Sequence, residues 1–176
     1  MDVIELKLPA LEYESRAEKF KKEFFDRGET VINGSALYDR MDFKEWLIST
    51  KNNANAQTVS QNWVVATTFF AIRKSDERII GMIDIRHNLS KDFLAQYGGH
   101  IGYAVRPSER RKGYATQMLQ LALNYVQSIG LQKVMLGCYS DNAASVKTIV
   151  KCSGILTETK PYADGKPMNI YWIVLA

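Results

Sequence analysis

The segment that most limits what this chain can fold into runs from Gly99 to Gly154, where two strand-like runs alternate with two helix-like patterns. Gly99-His100-Ile101-Gly102-Tyr103-Ala104-Val105-Arg106 reads as a strand with Ile101, Tyr103 and Val105 on one face, and Pro107 ends it. Ala115, Met118, Leu119, Ala122, Val126 and Ile129 then recur at helical spacing, and Gly130 supplies the stop. Lys133 to Tyr139 is a nearly continuous apolar run, as expected of a strand covered on both faces. Ser140, Asp141 and Asn142 are capable N-caps for a second helix with Val146, Ile149 and Val150 as its apolar stripe, Lys147 and Lys151 pointing away, and Gly154 as its end. Consecutive strand–helix units usually pack side by side, so both strand ends and both helix N-termini are expected close together.

Between the first strand and the first helix of this segment lies Arg110-Arg111-Lys112-Gly113-Tyr114-Ala115. A chain leaving a strand and entering a helix exposes unpaired backbone N–H groups where the helix dipole adds positive potential, so phosphate oxygens can be held largely by main chain. Gly113 removes a Cβ that would block close approach or forbid φ > 0, Ala115 is small, and the three basic side chains add charge. Read alone, six such residues are more often a solvated basic turn. A general nucleotide-phosphate binder is disfavoured because no Gly-x-x-x-x-Gly-Lys-Ser/Thr arrangement is present.

The rest of the chain extends a sheet around this unit. Val3 to Leu8 reads as a strand closed by Pro9, and Leu11 to Arg27 as a charged helix with Phe20, Phe24 and Phe25 among its apolar positions, ending at Gly28. Thr30 to Ser35 looks like a loop, Asp42 to Ile48 like a short helix, and the polar stretch Lys51 to Asn62 like a mobile surface loop. Trp63 to Arg73 and Ile79 to His87 form a strand pair across the polar turn 74–78; Ile155 to Tyr162 and Ile170 to Leu175 form another across Ala163-Asp164-Gly165-Lys166-Pro167. The 176 residues, 46% of them hydrophobic, suffice for one compact domain of the α/β class, about six or seven strands with helices on both faces.

The spacing Arg-x-x-Gly-x-Ala fits the pattern Gln/Arg-x-x-Gly-x-Gly/Ala, which resembles the acetyl-CoA pyrophosphate loop of the GNAT N-acetyltransferase superfamily. Gly98-Gly99-His100-Ile101-Gly102-Tyr103 and Arg106 to Thr116 resemble most nearly a branch of bacterial predicted acetyltransferases, the likeness being strongest over residues 79–156. It implies a mixed, mostly antiparallel six- to seven-stranded sheet and acetyl-CoA as co-substrate, with no metal. It also implies cofactor contacts from Tyr103, Ala104 and Val105 on the first strand, from Arg110, Arg111, Lys112, Gly113, Tyr114, Ala115 and Thr116 in the loop, and from Asn142 and Ser145 at the second helix. In that superfamily the two strands splay apart and the pantetheine arm pairs with the exposed backbone of the first.

Acetyl transfer needs an amine able to attack a thioester, a route for its proton, and donors for the tetrahedral oxyanion, for which backbone N–H groups around Val105 are the natural choice. Many superfamily members transfer the acetyl group directly, so neither Cys138 nor Cys152 is expected as a nucleophile; both read as buried and reduced. His100 lies near where some members carry a catalytic Glu, and its ordinary pKa of about 6.5 suits proton acceptance. Asp84 and His87 are further base candidates, with a structural Asp84–Arg86 pair as the alternative. Many members place a Tyr acid where this chain has Val150; Tyr139 is the candidate substitute. That missing Tyr is what supports a rival reading as a non-catalytic acyl-CoA-binding sensor.

Met1 to Glu5 lacks a signal-peptide pattern and no apolar run approaches about 18 residues, so a cytoplasmic protein without membrane association is expected. Net charge is +4 with basic residues spread along the chain, which argues against a nucleic-acid partner. The expected partner is a small-molecule or peptide amine, and a homodimer is compatible with the sequence.

Overall fold

A computed structural model describes residues 2–176. Seven strands form: β1 (Ile4–Lys7), β2 (Ala66–Arg73), β3 (Ile79–Arg86), β4 (Ile101–Val105), β5 (Lys133–Tyr139), β6 (Ile155–Pro161) and β7 (Pro167–Val174). They are joined by four α-helices: α1 (Glu14–Asp26), α2 (Phe43–Asn53), α3 (Tyr114–Ser128) and α4 (Ala143–Lys151). All ladders are antiparallel, in the order β1-β2-β3-β4 for one sheet and β5-β7-β6 for the other. This is the expected mixed α/β fold, with its strands divided into four and three that meet only at the isolated bridge Gly99–Leu136.

Strands β2 and β3 are central and buried along nearly their whole length, which explains their apolar sequence. Their alternation feeds two cores. Phe70, Ile72 and Met82 join Phe20, Phe24, Phe43 and Trp46 of α1 and α2, while Phe69, Ala71, Ile83 and Ile85 join Met118, Leu119, Ala122 and Val126 of α3. The second sheet continues the latter core through Val134, Leu136, Tyr171 and Ile173. Helix α2 starts at its Asp42 cap, whose Oδ1 accepts from the Glu45 N–H at 2.9 Å, and runs further than its apolar pattern suggests. Lys51 to Asn53 are therefore helical, and the irregular segment begins at Ala54. Val150 does not belong to the apolar stripe of α4: it is 54% exposed, and Thr148 and Ile149 are the buried residues. No helix among the described residues is long and apolar enough to cross a membrane.

Candidate active site

Strands β4 and β5 start together and then part. At their junction His100 exchanges three hydrogen bonds with its neighbours: its N–H donates to the Met135 carbonyl (2.8 Å), its ring Nδ1 accepts from the Met135 N–H (2.9 Å), and its carbonyl accepts from the Arg86 N–H (2.7 Å). Beyond this point β4 pairs only with β3. Because the His100 carbonyl accepts from Arg86 and the Arg106 N–H donates to Ile80, even-numbered positions face β3. By strand alternation the N–H and C=O groups of Tyr103 and Val105 then face the gap.

The gap opens into a trench that three adjoining cavities follow. A cleft of about 320 Å³ lies between Gly102 and Tyr103 of β4, Gly137 to Tyr139 of β5, and Asn142 and Ser145 of α4. A second space of about 340 Å³ shares Asn33, Tyr103, Asn142 and Ser145 with it and adds Ala104, Val105, Arg110 and Ala115. A third, of about 580 Å³, continues past Val105 to Arg111, Gly113, Tyr114, Ala115 and Thr116. The cofactor residues expected from the sequence thus line one continuous surface, Lys112 excepted.

The basic turn has the geometry an anion site needs. Arg111 and Gly113 adopt φ of +62° and +84°, and the first helical bond of α3 runs from the Gln117 N–H to the Gly113 carbonyl. The N–H groups of Tyr114, Ala115 and Thr116 are left without intrahelical acceptors. Lys112 turns back, its Nζ 2.9 Å from the buried Glu109 carboxylate, which also accepts from Arg73 (3.0 Å) and Arg78 (2.8 Å). Three cations around one carboxylate brace the turn from behind, with Asp76 on Arg73 (2.7 Å) and Glu23 on Arg78 (3.4 Å) balancing part of their charge. Arg110 forks onto Glu29 at 2.8 and 2.6 Å and donates from Nε to the Val105 carbonyl at 3.2 Å, so it crosses the trench where the open edge of β4 ends.

At the start of α4, Asn142 Oδ1 accepts from the Ser145 N–H (3.2 Å), capping the helix; its Nδ2 makes no hydrogen bond among the described residues. The Tyr103 hydroxyl donates to Ser145 Oγ across the trench at 3.3 Å. Burial raises the Tyr103 pKa, so that hydroxyl keeps its proton.

The base and acid candidates scatter. His100 is outside the cleft lining, 6% exposed, with its ring edge-on to Trp172; burial, helped by the Arg86 charge, holds its pKa down to about 4. His87 shares its strand face with Ile85, so it points to the α3 side, its Nε2 2.9 Å from Thr67 Oγ1. Asp84 lies on the opposite face, 2% exposed, accepting from Thr68 Oγ1 (2.9 Å) with its Oδ2 2.8 Å from Arg86 Nε. Tyr139 lines the cleft but its hydroxyl donates to Asp164 (2.8 Å), a bond that with burial pushes its pKa up to about 12. Cys138 and Cys152 are free and buried, and burial raises both thiol pKa values, that of Cys138 to about 11.

Several lining residues lie outside the site residues named from the sequence. Asn33 borders three neighbouring spaces, and Gly34 seats its loop against β4 so closely that a Cβ there would lie 2.2 Å from the Gly102 carbonyl oxygen. Arg86 lines both the cleft and a further chamber of about 450 Å³ floored by Asp84, and Phe93, Tyr97 and Tyr162 complete the cleft wall.

Comparison with known proteins agrees with this geometry. The chain is 26% identical over 137 residues to the uncharacterized N-acetyltransferase YoaA of Bacillus subtilis, a match spanning 68% of this chain and 76% of that relative. Among solved structures, the microcin self-immunity acetyltransferase MccE in complex with acetyl-CoA and AMP superposes with a TM-score of 0.70 at 19% identity, covering 99% of this chain and 94% of that one. A Salmonella typhimurium acetyl transferase that modifies the N-terminal serine of a ribosomal protein superposes with a TM-score of 0.67 at 15% identity, covering 98% and 95%. Residues 7–154 match the acetyltransferase (GNAT) domain family, and with most of its length so matched the chain belongs to that family.

Proposed function

We propose that this protein is an acetyl-CoA-dependent N-acetyltransferase that moves the acetyl group directly to a primary amine. The observation that carries the reading is the continuous trench from the N-terminus of α3 along the open edge of β4 into the cleft between β4 and β5. The backbone N–H groups of residues 111–116 take the pyrophosphate, with Arg111 beside them. The open edge of β4 pairs with the pantetheine amides, for which Arg110 must leave the Val105 carbonyl, and Asn142 Nδ2 offers a further donor. This places the thioester where the N–H groups of Tyr103 and Val105 can stabilise the oxyanion.

In the transfer step the amine nitrogen bonds to the acetyl carbon, the C–S bond breaks, the nitrogen loses one proton and the thiolate gains one. Withdrawal of the amine from bulk water into the cleft disfavours an ammonium and favours the neutral, attacking amine. His100 holds the strand junction and does not act as base: Nδ1 is already engaged and the ring lies outside the cleft. His87 faces the other side of the sheet and Asp84 is committed to Arg86 and Thr68, so the proton leaves to water in the cleft. Ser145, which borders both the cleft and the cofactor trench, is the hydroxyl placed to hydrogen-bond the departing thiolate, which takes its proton from water in the cleft, whereas the Tyr139 phenol is held by Asp164. The sensor reading loses its support, because position 150 faces solvent and a Tyr there would not reach the cleft.

The test is a panel of primary amines offered with acetyl-CoA while free CoA thiol is followed. Amine-dependent CoA release is expected. Saturable acetyl-CoA binding with no amine-stimulated release across the panel would establish the sensor instead.

A further inference from the structure

Four aromatic rings in the cleft belong to neither hydrophobic core. Phe93 and Tyr97 come from the turn before β4, Tyr139 from the end of β5, and Tyr162 from the β6–β7 hairpin; all four line the cleft. They pack mostly edge to face, with Tyr97–Tyr162 at 5.1 Å, Tyr139–Tyr162 at 6.0 Å and Phe93–Tyr162 at 6.3 Å between centroids. Two of the phenol groups are tied back, Tyr97 donating to the Pro161 carbonyl (3.1 Å) and Tyr139 to Asp164 (2.8 Å). The first bond joins the turn to the hairpin and the second joins β5 to it, which fixes the rings as a wall. Phe93 remains 50% exposed in spite of its neighbours, which is the state of an aromatic surface with a place for one more ring.

The same cleft is lined by a guanidinium that is held on one side and free on the other. Arg86 Nε lies 2.8 Å from Asp84, its Nη1 donates to the Gly98 carbonyl (3.3 Å), and it packs over Trp63. Its Nη2 makes no hydrogen bond among the described residues and sits against Gly102, where a Cβ would come within 3.1 Å. Gly102 thus leaves Arg86 room beside the strand that carries the proposed thioester site. Because Asp84 neutralises most of the charge, Arg86 orients a partner oxygen more than it attracts a distant anion.

On the basis of the transferase reading, we propose that the acceptor is an aromatic α-amino compound: its ring lies on the Phe93–Tyr97–Tyr162 wall and its carboxyl or carbonyl oxygen accepts from Arg86 Nη2. The amine between these two anchors is then presented to the gap between β4 and β5. The cleft volume of about 320 Å³ is at the small end for ligand pockets and suits one ring and one carboxyl group.

The experiment compares phenylalanine, alanine and phenethylamine in two readouts: CoA release with acetyl-CoA, and calorimetric binding to the CoA-saturated protein. Phenylalanine is expected to exceed both others in kcat/KM and in affinity, alanine lacking the ring and phenethylamine the carboxylate. Tyr162→Ala should raise the phenylalanine KM about three- to tenfold while keeping kcat, with Tyr162→Phe restoring it. Arg86→Gln should reduce phenylalanine to the level of phenethylamine. Phenylalanyl-glycine distinguishes a free amino acid from a chain N-terminus, both of which present the same chemistry. Equal use of alanine and phenylalanine, or a Tyr162→Ala protein with unaltered KM, would overturn the proposal while leaving the transferase reading intact. Phenylalanine binding without any CoA release would sustain the pocket and overturn the transferase reading. Absence of both phenylalanine binding and phenylalanine turnover would overturn the proposal, with the transferase reading decided separately by the amine panel.

Discussion

His100 accepts the Met135 N–H through Nδ1, and that bond requires the ring to be unprotonated on this side. Burial first, and the Arg86 charge second, lower its pKa to about 4 in the folded protein. The unfolded chain, with an ordinary value of about 6.5, therefore binds the proton more readily between these two limits. Stability from this residue is complete above pH of about 6.5 and is lost as pH falls toward 4, a change of up to about 3 kcal/mol. Glu23 follows a lower window: burial opposes its ionisation, but bonds from Ser108 and Arg106 prevail and hold it at about 2, so its share is lost only below about 4.5. Denaturant unfolding measured from pH 7 to 4 should show a falling limb that is shallower in His100→Gln. An identical limb in both proteins would place the acid sensitivity elsewhere. The same residue shows what a sequence conceals: an imidazole on the cofactor strand suggests a base, and only the long-range contact with Met135 reveals a brace. Asn142 differs, because one amide serves two purposes, Oδ1 as the cap and Nδ2 as a free donor.

Strand and helix patterns of residues 99–154 were legible because each element buries one stripe or both faces, and apolar periodicity records that directly. The aromatic wall was not. Phe93 precedes and Tyr97 lies within a single π-helical turn, Leu94–Gly98, whose spacing matches neither a helix nor a strand. Its seat is recorded instead in two glycines: a Cβ at Gly99 would lie 2.3 Å from the Met135 carbonyl oxygen and one at Gly137 would lie 2.0 Å from that of Tyr97. Gly137→Ala should therefore push the turn off β5, costing about 1–3 kcal/mol of stability. Since this turn lines the cleft but neither of the two spaces that run from Tyr103 to Thr116, acetyl-CoA affinity should be retained while the acceptor KM rises. Unchanged thermal stability and unchanged KM in Gly137→Ala would show that the turn is not held as the structure has it. Arg86 illustrates a milder gap in legibility: alternation along β3 predicted that it shares a face with Asp84, but not that this face borders the cleft.

For the molecule as a whole, two sheets whose ladders are joined, among the described residues, by one isolated bridge create the trench, and the core they share with α3 holds them together. The charged residues are distributed to match. Glu109, Arg73, Arg78 and Lys112 lie behind the basic turn, leaving its backbone N–H groups toward the trench. This arrangement explains why a net charge of only +4 is compatible with binding a polyanionic cofactor: local backbone geometry supplies the site and the overall field contributes little. The central claim is therefore that acetyl-CoA is held by the turn at Gly113, where φ of +84° excludes a β-branched side chain. Calorimetric titration of acetyl-CoA into wild-type and Gly113→Val proteins, both shown to be folded by circular dichroism, tests it most directly. Saturable binding by the wild type and its loss in Gly113→Val is the predicted result; equal affinity in the two proteins would contradict it.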